Sequence, residues 1–304
     1  MIKITTNVEK ANVITHAGTF HGDEVLATVI LKKVLGDNIT VCRTFKVPEE
    51  GLSDDVIVYD IGFGRYDHHQ KGGNGSRENG VPYAAVGLIW KDYGHKVIKN
   101  ICTCNTELIW SLIDIDLIQG IDAVDNGKIP KVDYPAQVIS LSQVISEFNP
   151  AWDSSENSDT AFLKAVNFAE IAFDNALEKA ISKARAQNLV CNAIEKSQGH
   201  IMVFDRFVPW QEFVFSSENE KANDIQFVVF PSNRGGYNWQ CVPEVLGGFG
   251  QRKPVPNEWK GLSGFELQKV TGVKTASFCH PAGFIGGAET LEDAIAIAKL
   301  AVEA

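Results

Sequence analysis

The chain of 304 residues carries 28 Lys and Arg against 38 Asp and Glu, which gives a net charge of −10. Its length allows two domains, because a single hydrophobic core stops growing at roughly 250–300 residues. The negative charge excludes binding of polyanions through the overall field. A nucleic-acid substrate would therefore need a local basic patch or bound cations.

The sequence shows neither a signal peptide nor a membrane span. The first ten residues are mostly polar, and no apolar run reaches the roughly 20 residues that cross a bilayer. The six cysteines are scattered, and only Cys102 and Cys104 lie close together, without a second pair to complete a zinc ribbon. We therefore expect a cytoplasmic protein with reduced thiols and no membrane partner.

The first sixty residues alternate between strand and helix patterns. Residues 13–16 and 39–43 are runs rich in β-branched side chains, and residues 56–59 are fully apolar. Between the first two runs, apolar residues recur at helical spacing from Val25 to Val34, with Gly36 as the stop. This order predicts an α/β fold with a mostly parallel, doubly wound sheet.

The predicted sheet gathers polar residues at one edge. Ligands of open α/β sheets bind outside the carboxyl ends of the strands. His16 ends the first predicted strand, and Asp60 follows the third. The run Asp67, His68 and His69 comes shortly afterwards. We therefore expect groups that are distant in sequence to converge at this edge.

The later elements predict a second domain. The Gly-rich segment 71–82 is either a lid or a simple connection. Helices are expected over 83–90 and 106–121, and a long amphipathic helix runs from Phe162 towards residue 196. Strands follow at 201–207, 225–230 and 238–242, and a helix over 291–302 has Thr290 as its N-cap. We predict a catalytic domain over 1–157, a connecting helix over 158–197 and a smaller α/β substrate-binding domain over 198–304.

The first half of the chain also carries a concentrated set of metal-binding residue types. The candidate ligands are His16, His21, Asp23, Asp60, His68 and Asp125. Six ligands exceed the needs of one tetrahedral ion, so two metal ions bridged by Asp60 are the economical interpretation. Mixed imidazole and carboxylate ligands favour Mn²⁺, with Mg²⁺, Co²⁺, Fe²⁺ and Zn²⁺ as alternatives. Direct ligation by His16 and by Asp122 stays open.

Such a site predicts hydrolysis at phosphorus. A metal pair lowers the pKa of a bridging water, and the resulting hydroxide attacks in line. We expect Asp67 to orient the ring of His68. We expect His69 to face the scissile phosphate. With the bridging Asp60, these residues form the predicted catalytic set. The Cys and Ser residues show no triad-like context, which disfavours covalent catalysis.

The second half offers groups that could hold a phosphate. A Gly-rich loop that feeds a helix N-terminus presents backbone N–H groups to an anion. Trp239 and Trp259 could stack bases, although packing in a core is the simpler interpretation. The candidate substrate-binding residues are Arg234, Arg252, His280, Gly286 and Gly287, with Lys253 beside Arg252.

Four segments carry a resemblance to a known family. They are HAGTFHGDE (16–24), DIGFGRYDHH (60–69), DAVDNG (122–127) and GFIGG (283–287). Together they resemble the melanocyte-proliferating-gene family of metal-dependent hydrolases, a branch of the DHH phosphoesterase superfamily, over nearly the whole chain. The resemblance implies a two-domain fold with the active site in the interdomain cleft. It also implies Mn²⁺- or Mg²⁺-dependent phosphodiester hydrolysis, associated in eukaryotic members with 3′–5′ RNA exonuclease activity.

Three functional hypotheses follow. The leading one is a two-metal phosphodiesterase that acts on single-stranded RNA or short oligonucleotides. The second is a hydrolase of a small phosphate compound such as a nucleotide or pyrophosphate, which the negative net charge favours. The third is a metal-stabilised binding protein without catalysis. Assembly into a homo-oligomer is left open by the sequence.

Overall fold

The computed structural model describes residues 2–36, 39–128, 133, 135–136, 138–197 and 199–304. They form two compact units, residues 1–182 and 183–304. The long helix α6 (Ser158–Lys196) contributes residues to both. No helix within the described ranges is both long and apolar enough to cross a membrane. The predicted domain limits at 157 and 197 stay predictions.

The first unit is built on a four-stranded parallel sheet. Its strands are β1 (Lys3–Thr5), β2 (Val13–His16), β3 (Thr40–Thr44) and β4 (Ile57–Val58), in the order β1-β3-β2-β4. Ile14 at its centre pairs with Cys42 on one side and Val58 on the other. The predicted α/β class and parallel pairing are therefore confirmed. All four strands end at one edge, which receives His16 and the segment that begins at Asp60.

Helices of the first unit hold the segments that follow these strands. Helix α1 (Gly22–Leu35) packs against α2 (Ala85–Lys99), and its buried residues include Leu26 and Ile30. The predicted helix at 106–121 is longer than expected. It consists of α3 (Thr106–Ile113), a π segment (Asp114–Ile118) and α4 (Gln119–Asp125), which ends at a candidate ligand. The short helix α5 (Leu141–Ser146) packs against α1.

The second unit contains a mixed five-stranded sheet. Its strands are β5 (Ile201–Val203), β6 (Phe227–Pro231), β7 (Tyr237–Cys241), β8 (Ala276–Cys279) and β9 (Ile285–Ala288), in the order β5-β6-β7-β9-β8. Its helices are α7 (Gln211–Phe215), α8 (Lys221–Asp224), α9 (Gly264–Thr271) and α10 (Leu291–Glu303). Thr290 caps α10 as predicted, accepting a hydrogen bond from the Asp293 N–H.

The sequence predicts a Gly-rich loop before α10, and this prediction is wrong at Gly286 and Gly287. Both residues lie in strand β9, where they pair with β7 and β8. A Cβ at Gly286 would collide with the buried ring of Trp239 and come close to the Phe278 carbonyl. Glycine at that position thus lets a strand cross a bulky core side chain. Ser263 is the N-cap residue of α9, and its side chain makes no capping hydrogen bond.

Candidate metal centre

Three histidines and two acids meet where strands β2 and β4 end. His16 closes β2, and its Nε2 lies 2.9 Å from Glu24 Oε1 and 3.2 Å from Asp60 Oδ2. The Nδ1 atoms of His68 and His69 each lie 3.5 Å from Asp60 Oδ1. Asp60 therefore lies among all three rings, the central place that the sequence predicts for it.

The backbone at Asp60 is held in an unusual conformation. Its φ is +55°, which lies in a region of backbone conformation that residues other than glycine rarely adopt. The Asp60 N–H donates to the Tyr66 carbonyl at 2.9 Å, which fixes the turn that leads to His68. Asp60 is 3 % exposed, and its Oδ1 accepts no hydrogen bond from the described residues. A strained, buried carboxylate with an oxygen that accepts no hydrogen bond is a typical feature of a functional site.

A second group of ligand types forms around the end of α4. His68 Nε2 lies 2.7 Å from Asp125 Oδ2. Asp23, in the first turn of α1, is fully buried, and Asp125 lies close enough for a side-chain hydrogen bond to it. The Ala85 N–H donates to Asp23 Oδ2 at 3.3 Å, whereas Asp23 Oδ1 has no partner within the described part of the chain. The structure thus places Asp23, His68 and Asp125 together.

Asp67 holds the ring of His69, where the sequence had suggested His68. Its carboxylate accepts hydrogen bonds from the Phe63 N–H (2.7 Å), the His69 N–H (3.0 Å) and His69 Nδ1 (2.8 Å). Although burial opposes the charged form, these donors lower the pKa of Asp67 below its usual range. The His69 ring, with 55 % of its side chain exposed, therefore points Nε2 away from Asp67.

Glu24 joins the centre without having been expected from the sequence. His21 is the N-cap of α1, and its N–H donates to both Glu24 carboxylate oxygens at 2.8 and 2.9 Å. A Glu three residues after an N-cap is a common capping arrangement, so its position in the sequence indicates only a structural role. In the fold, however, Glu24 is fully buried and also contacts His16.

The buried carboxylates of the cluster favour the binding of a cation. Burial raises the pKa of Asp23 well above its usual value, and burial also raises that of Asp60. Against the effect of its own burial, His16 gains hydrogen bonds to Asp60 and Glu24 that raise its pKa to about 10. Buried carboxylates are costly unless they are paired with positive charge. A proton on His16 supplies part of the positive charge that the buried carboxylates require. A divalent metal ion would supply more of it.

The donor set fits metal ions. Unpartnered buried atoms at Asp23 Oδ1, Asp60 Oδ1 and His68 Nδ1 are of the types that coordinate them. Among the described residues, four groups offer ligand atoms within 4.8 Å of one another. They are Asp60–Asp67–His68–His69, His16–His21–Glu24, His21–Asp23–Asp125 and Asp23–Glu24–Asp60. Asp23, Glu24, Asp60 and His21 each belong to two groups, so the groups are contiguous.

Two adjoining cavities give access to the cluster. One, of about 450 Å³, is lined by His68 and Asp125 among others. The other, of about 870 Å³, is lined by His16 and Asp67. Both cavities reach His21, Asp60 and His69, so a molecule in either would meet the same ligand groups.

Asp122 has a structural place outside the cluster. Its Oδ1 accepts hydrogen bonds from the Ala84 and Gly87 N–H groups, both at 3.0 Å. Its Oδ2 lies 2.8 Å from Arg77 Nη1 in an ion pair. Burial raises the pKa of Asp122 to about 7 despite this partner. Asp122 thus fixes the start of α2, whose Ala85 N–H in turn contacts Asp23.

The chain matches a family of known proteins over most of its length. Residues 12–302 match the model of the MYG1 exonuclease family, described as Uncharacterised protein family (UPF0160). The chain belongs to this family. The predicted family is thereby confirmed.

Several MYG1 proteins are similar to this chain over nearly its full length. A MYG1 protein of Dictyostelium discoideum is 32% identical over 94% of both chains. A MYG1 protein of Saccharomyces cerevisiae is 30% identical over 99% of this chain and 98% of its own. The human MYG1 exonuclease is 28% identical over 94% of this chain and 84% of its own. No solved structure matches the chain.

The second unit of this MYG1-family chain separates the predicted phosphate-binding residues. Arg234 and Gly287 line one cavity of about 480 Å³. Gly286 packs on Trp239, and His280 is an exposed side chain whose ring contacts Phe284. Of the predicted residues, Arg234 and Gly287 are thus brought to one cavity, and phosphate binding by the set stays a prediction.

The Arg252 side chain binds to residues of the second unit. Its Nη1 donates to the carbonyls of Ala222 (2.6 Å) and Ile225 (3.0 Å), and its guanidinium lies over the Phe215 ring. These contacts hold the α7–α8 region in place. Trp239 and Trp259 are both buried, so neither presents a face on which a base could stack.

Proposed function

We propose that this chain is a metal-dependent phosphodiester hydrolase, a 3′–5′ exonuclease of single-stranded RNA or short oligonucleotides. The observation that carries the proposal is the buried cluster of carboxylates and imidazoles around Asp60, whose free oxygen and neighbouring unpartnered atoms suit metal ions. Relatives named MYG1 exonuclease support nuclease chemistry. The ligand types also support placement in the DHH phosphoesterase superfamily.

Two divalent ions account for the number of donors. His16, His21 and Glu24 would hold one ion, and Asp23, His68 and Asp125 the other, with Asp60 shared between them. The ions would supply Lewis acidity at phosphorus and lower the pKa of a water molecule. Mn²⁺ suits the mixed oxygen and nitrogen donors best, and Mg²⁺, Co²⁺, Fe²⁺ and Zn²⁺ are the alternatives.

His69 would act on the substrate directly. Its Nδ1 contacts Asp67, which leaves Nε2 available to the substrate. From there it would donate a hydrogen bond to an oxygen of the scissile phosphate. Asp67 serves as the residue that positions this ring.

The test is Mn²⁺-dependent release of mononucleotides from end-labelled single-stranded RNA. We expect His68→Ala and Asp60→Asn to lower kcat/KM by at least 10²-fold. The matched control is His95→Ala, because His95 also pairs with a carboxylate, Glu107 at 2.9 Å, but lies outside the cluster. Activity of His68→Ala or Asp60→Asn equal to that of His95→Ala would contradict the assigned roles.

A second candidate is a hydrolase of a small phosphate compound. The net charge of −10 favours it, because a small substrate needs no extended basic track. Rates on pyrophosphate, nucleotides and oligonucleotides, measured side by side, distinguish the two. A metal-dependent rise in Tm without turnover of any phosphoester would instead indicate a binding protein.

A further inference from the structure

Two large aromatic side chains are exposed beside the metal cluster. Phe45 is 83% exposed and Phe63 is 70% exposed. Both line the cavity of about 870 Å³ that also contains His16, Asp60 and His69. Exposed phenylalanine forgoes the favourable burial of its ring, so two of them at one cavity point to a ligand that covers them.

The backbone of Phe63 is strained in a way that presents its ring. Its φ is +57°, in the left-handed region that disfavours any residue with a Cβ. The Phe63 N–H donates to Asp67 Oδ2 at 2.7 Å, and the other oxygen of Asp67 holds His69. One carboxylate therefore fixes the aromatic residue and the histidine of the cluster together. Strain that is retained by such a contact is characteristic of functional segments.

Phe45 approaches the cavity from the end of strand β3. Its ring lies against Gly18, where an added Cβ would come within 3.3 Å of Phe45 Cε1. Gly18 belongs to the loop between His16 and His21. Glycine at this position thus lets the ring lie directly over the loop that carries two candidate ligands.

Lys46 follows Phe45 and brings a positive charge to the same cavity. Its backbone is fixed by Thr44, whose hydroxyl donates to the Lys46 carbonyl at 3.0 Å. None of the ion pairs found among the described residues involves Lys46, which is exposed. Glu49, Asp60 and Asp67 line the same cavity, but a phosphate near the cluster would find in Lys46 a cation that makes no ion pair with a described acid.

We propose that Phe45 and Phe63 stack the bases of the nucleotides whose phosphate reaches the metal cluster, with Lys46 beside the next phosphate. This inference rests on the proposed function and specifies its substrate as single-stranded nucleic acid. Aromatic stacking contributes to binding of any base, because every base has a π face, so the site has little sequence preference. Pyrophosphate or another inorganic phosphate would gain nothing from the two rings.

The experiment compares a single-stranded RNA with the same strand made abasic at its two 3′-terminal positions. The proteins are wild type, Phe45→Leu, Phe63→Leu and the double variant. Leucine keeps an apolar side chain at each position but lacks the π face of phenylalanine. The matched control is Phe265→Leu, since Phe265 is 73% exposed on α9 in the other unit. Thermal unfolding of each variant verifies that the exposed substitutions leave the fold intact.

We expect wild type and Phe265→Leu to prefer the intact strand by roughly ten-fold or more in kcat/KM. The double variant should lose most of this preference through slower turnover of the intact strand, with its rate on the abasic strand unchanged. Equal losses on both strands, or no loss on either, would overturn the inference. If wild type cleaves neither strand but hydrolyses pyrophosphate, the proposed function itself fails, and the two failures are thereby distinguished.

Discussion

Asp60 and Phe63 are the two described residues other than glycine with a positive φ. Both belong to the segment that leads into His68 and His69. A left-handed backbone costs roughly 1–2 kcal/mol for a residue with a Cβ. Hydrogen bonds from Asp60 to the Tyr66 carbonyl and from Phe63 to Asp67 hold the conformation. The segment thus gives up stability in order to direct a carboxylate and an aromatic ring.

Replacing Phe63 by glycine should separate stability from activity. We expect Phe63→Gly to raise the free energy of unfolding by about 1 kcal/mol, because glycine adopts a positive φ without strain. The same change should lower activity on single-stranded RNA. Phe45 lies outside the left-handed region, so Phe45→Gly is the control and should not stabilise. Chemical denaturation measures both variants, and destabilisation of Phe63→Gly would show that its ring supports the fold.

We expect ionisation of Asp122 to make the free energy of unfolding depend on pH. Its pKa is about 7 in the folded chain and near 3.9 in an unfolded chain, so the native state binds the proton more tightly. Its contribution is therefore full below about pH 4 and is lost as pH rises through 7. We expect the free energy of unfolding of wild type, relative to Asp122→Asn, to fall by about 2–4 kcal/mol from pH 4 to pH 8. A difference that stays constant or rises with pH would show that Arg77 keeps Asp122 charged throughout.

At the scale of elements, the N-terminus of α2 supports the candidate metal centre through its backbone N–H groups. Asp122 accepts hydrogen bonds from Ala84 and Gly87, and the Ala85 N–H between them contacts Asp23. Arg77 joins Asp122 to Asp114, which lies in the π segment between α3 and α4. A π segment widens the helix locally and is frequent near functional sites. The position of Asp23 thus depends on contacts among three helices.

Gly87 is the point at which this arrangement is most sensitive. A Cβ there would collide with the Asp122 carboxylate, so we expect Gly87→Ala to destabilise the protein by about 1–3 kcal/mol. The control is Gly120→Ala in α4, where no atom lies within 4 Å of the added Cβ. That change should stabilise by roughly 1 kcal/mol through helix propensity. Equal effects of the two substitutions in chemical denaturation would refute the steric argument.

At the scale of the whole molecule, metal binding should appear as thermal stability. Ions that bind the native state alone add about 2.7 kcal/mol at a concentration 100-fold above Kd. We therefore expect Mn²⁺ to raise the Tm of wild type and EDTA to reverse the rise. His68→Ala should show a smaller shift, and His95→Ala should behave as wild type. An equal Mn²⁺ effect on His68→Ala would place the binding site elsewhere.

The sequence predicted those features that follow from local pattern and from general rules for sheets. Parallel strands imply that their carboxyl ends share one edge, so the strand pattern alone places His16 and Asp60 close together. Glu24 escaped notice because its spacing from His21 resembles a helix cap. Gly286 was misread because only the fold shows Trp239 beneath it. Phe45 and Phe63 were missed because phenylalanine in a sequence ordinarily indicates core, and its exposure depends on tertiary structure.

The hydrogen bonds that Asp67 accepts from Phe63 and His69 have an evolutionary consequence. Through one side chain they would link the proposed stacking of a base on Phe63 to the proposed contact of His69 with a phosphate, so we expect a substitution at Asp67 to alter affinity and turnover together. Changes at Phe45, by contrast, would alter the choice of substrate and leave the hydrolytic apparatus as it is. Divergence of substrate preference among relatives is therefore expected to follow the residue at position 45 rather than the one at position 67.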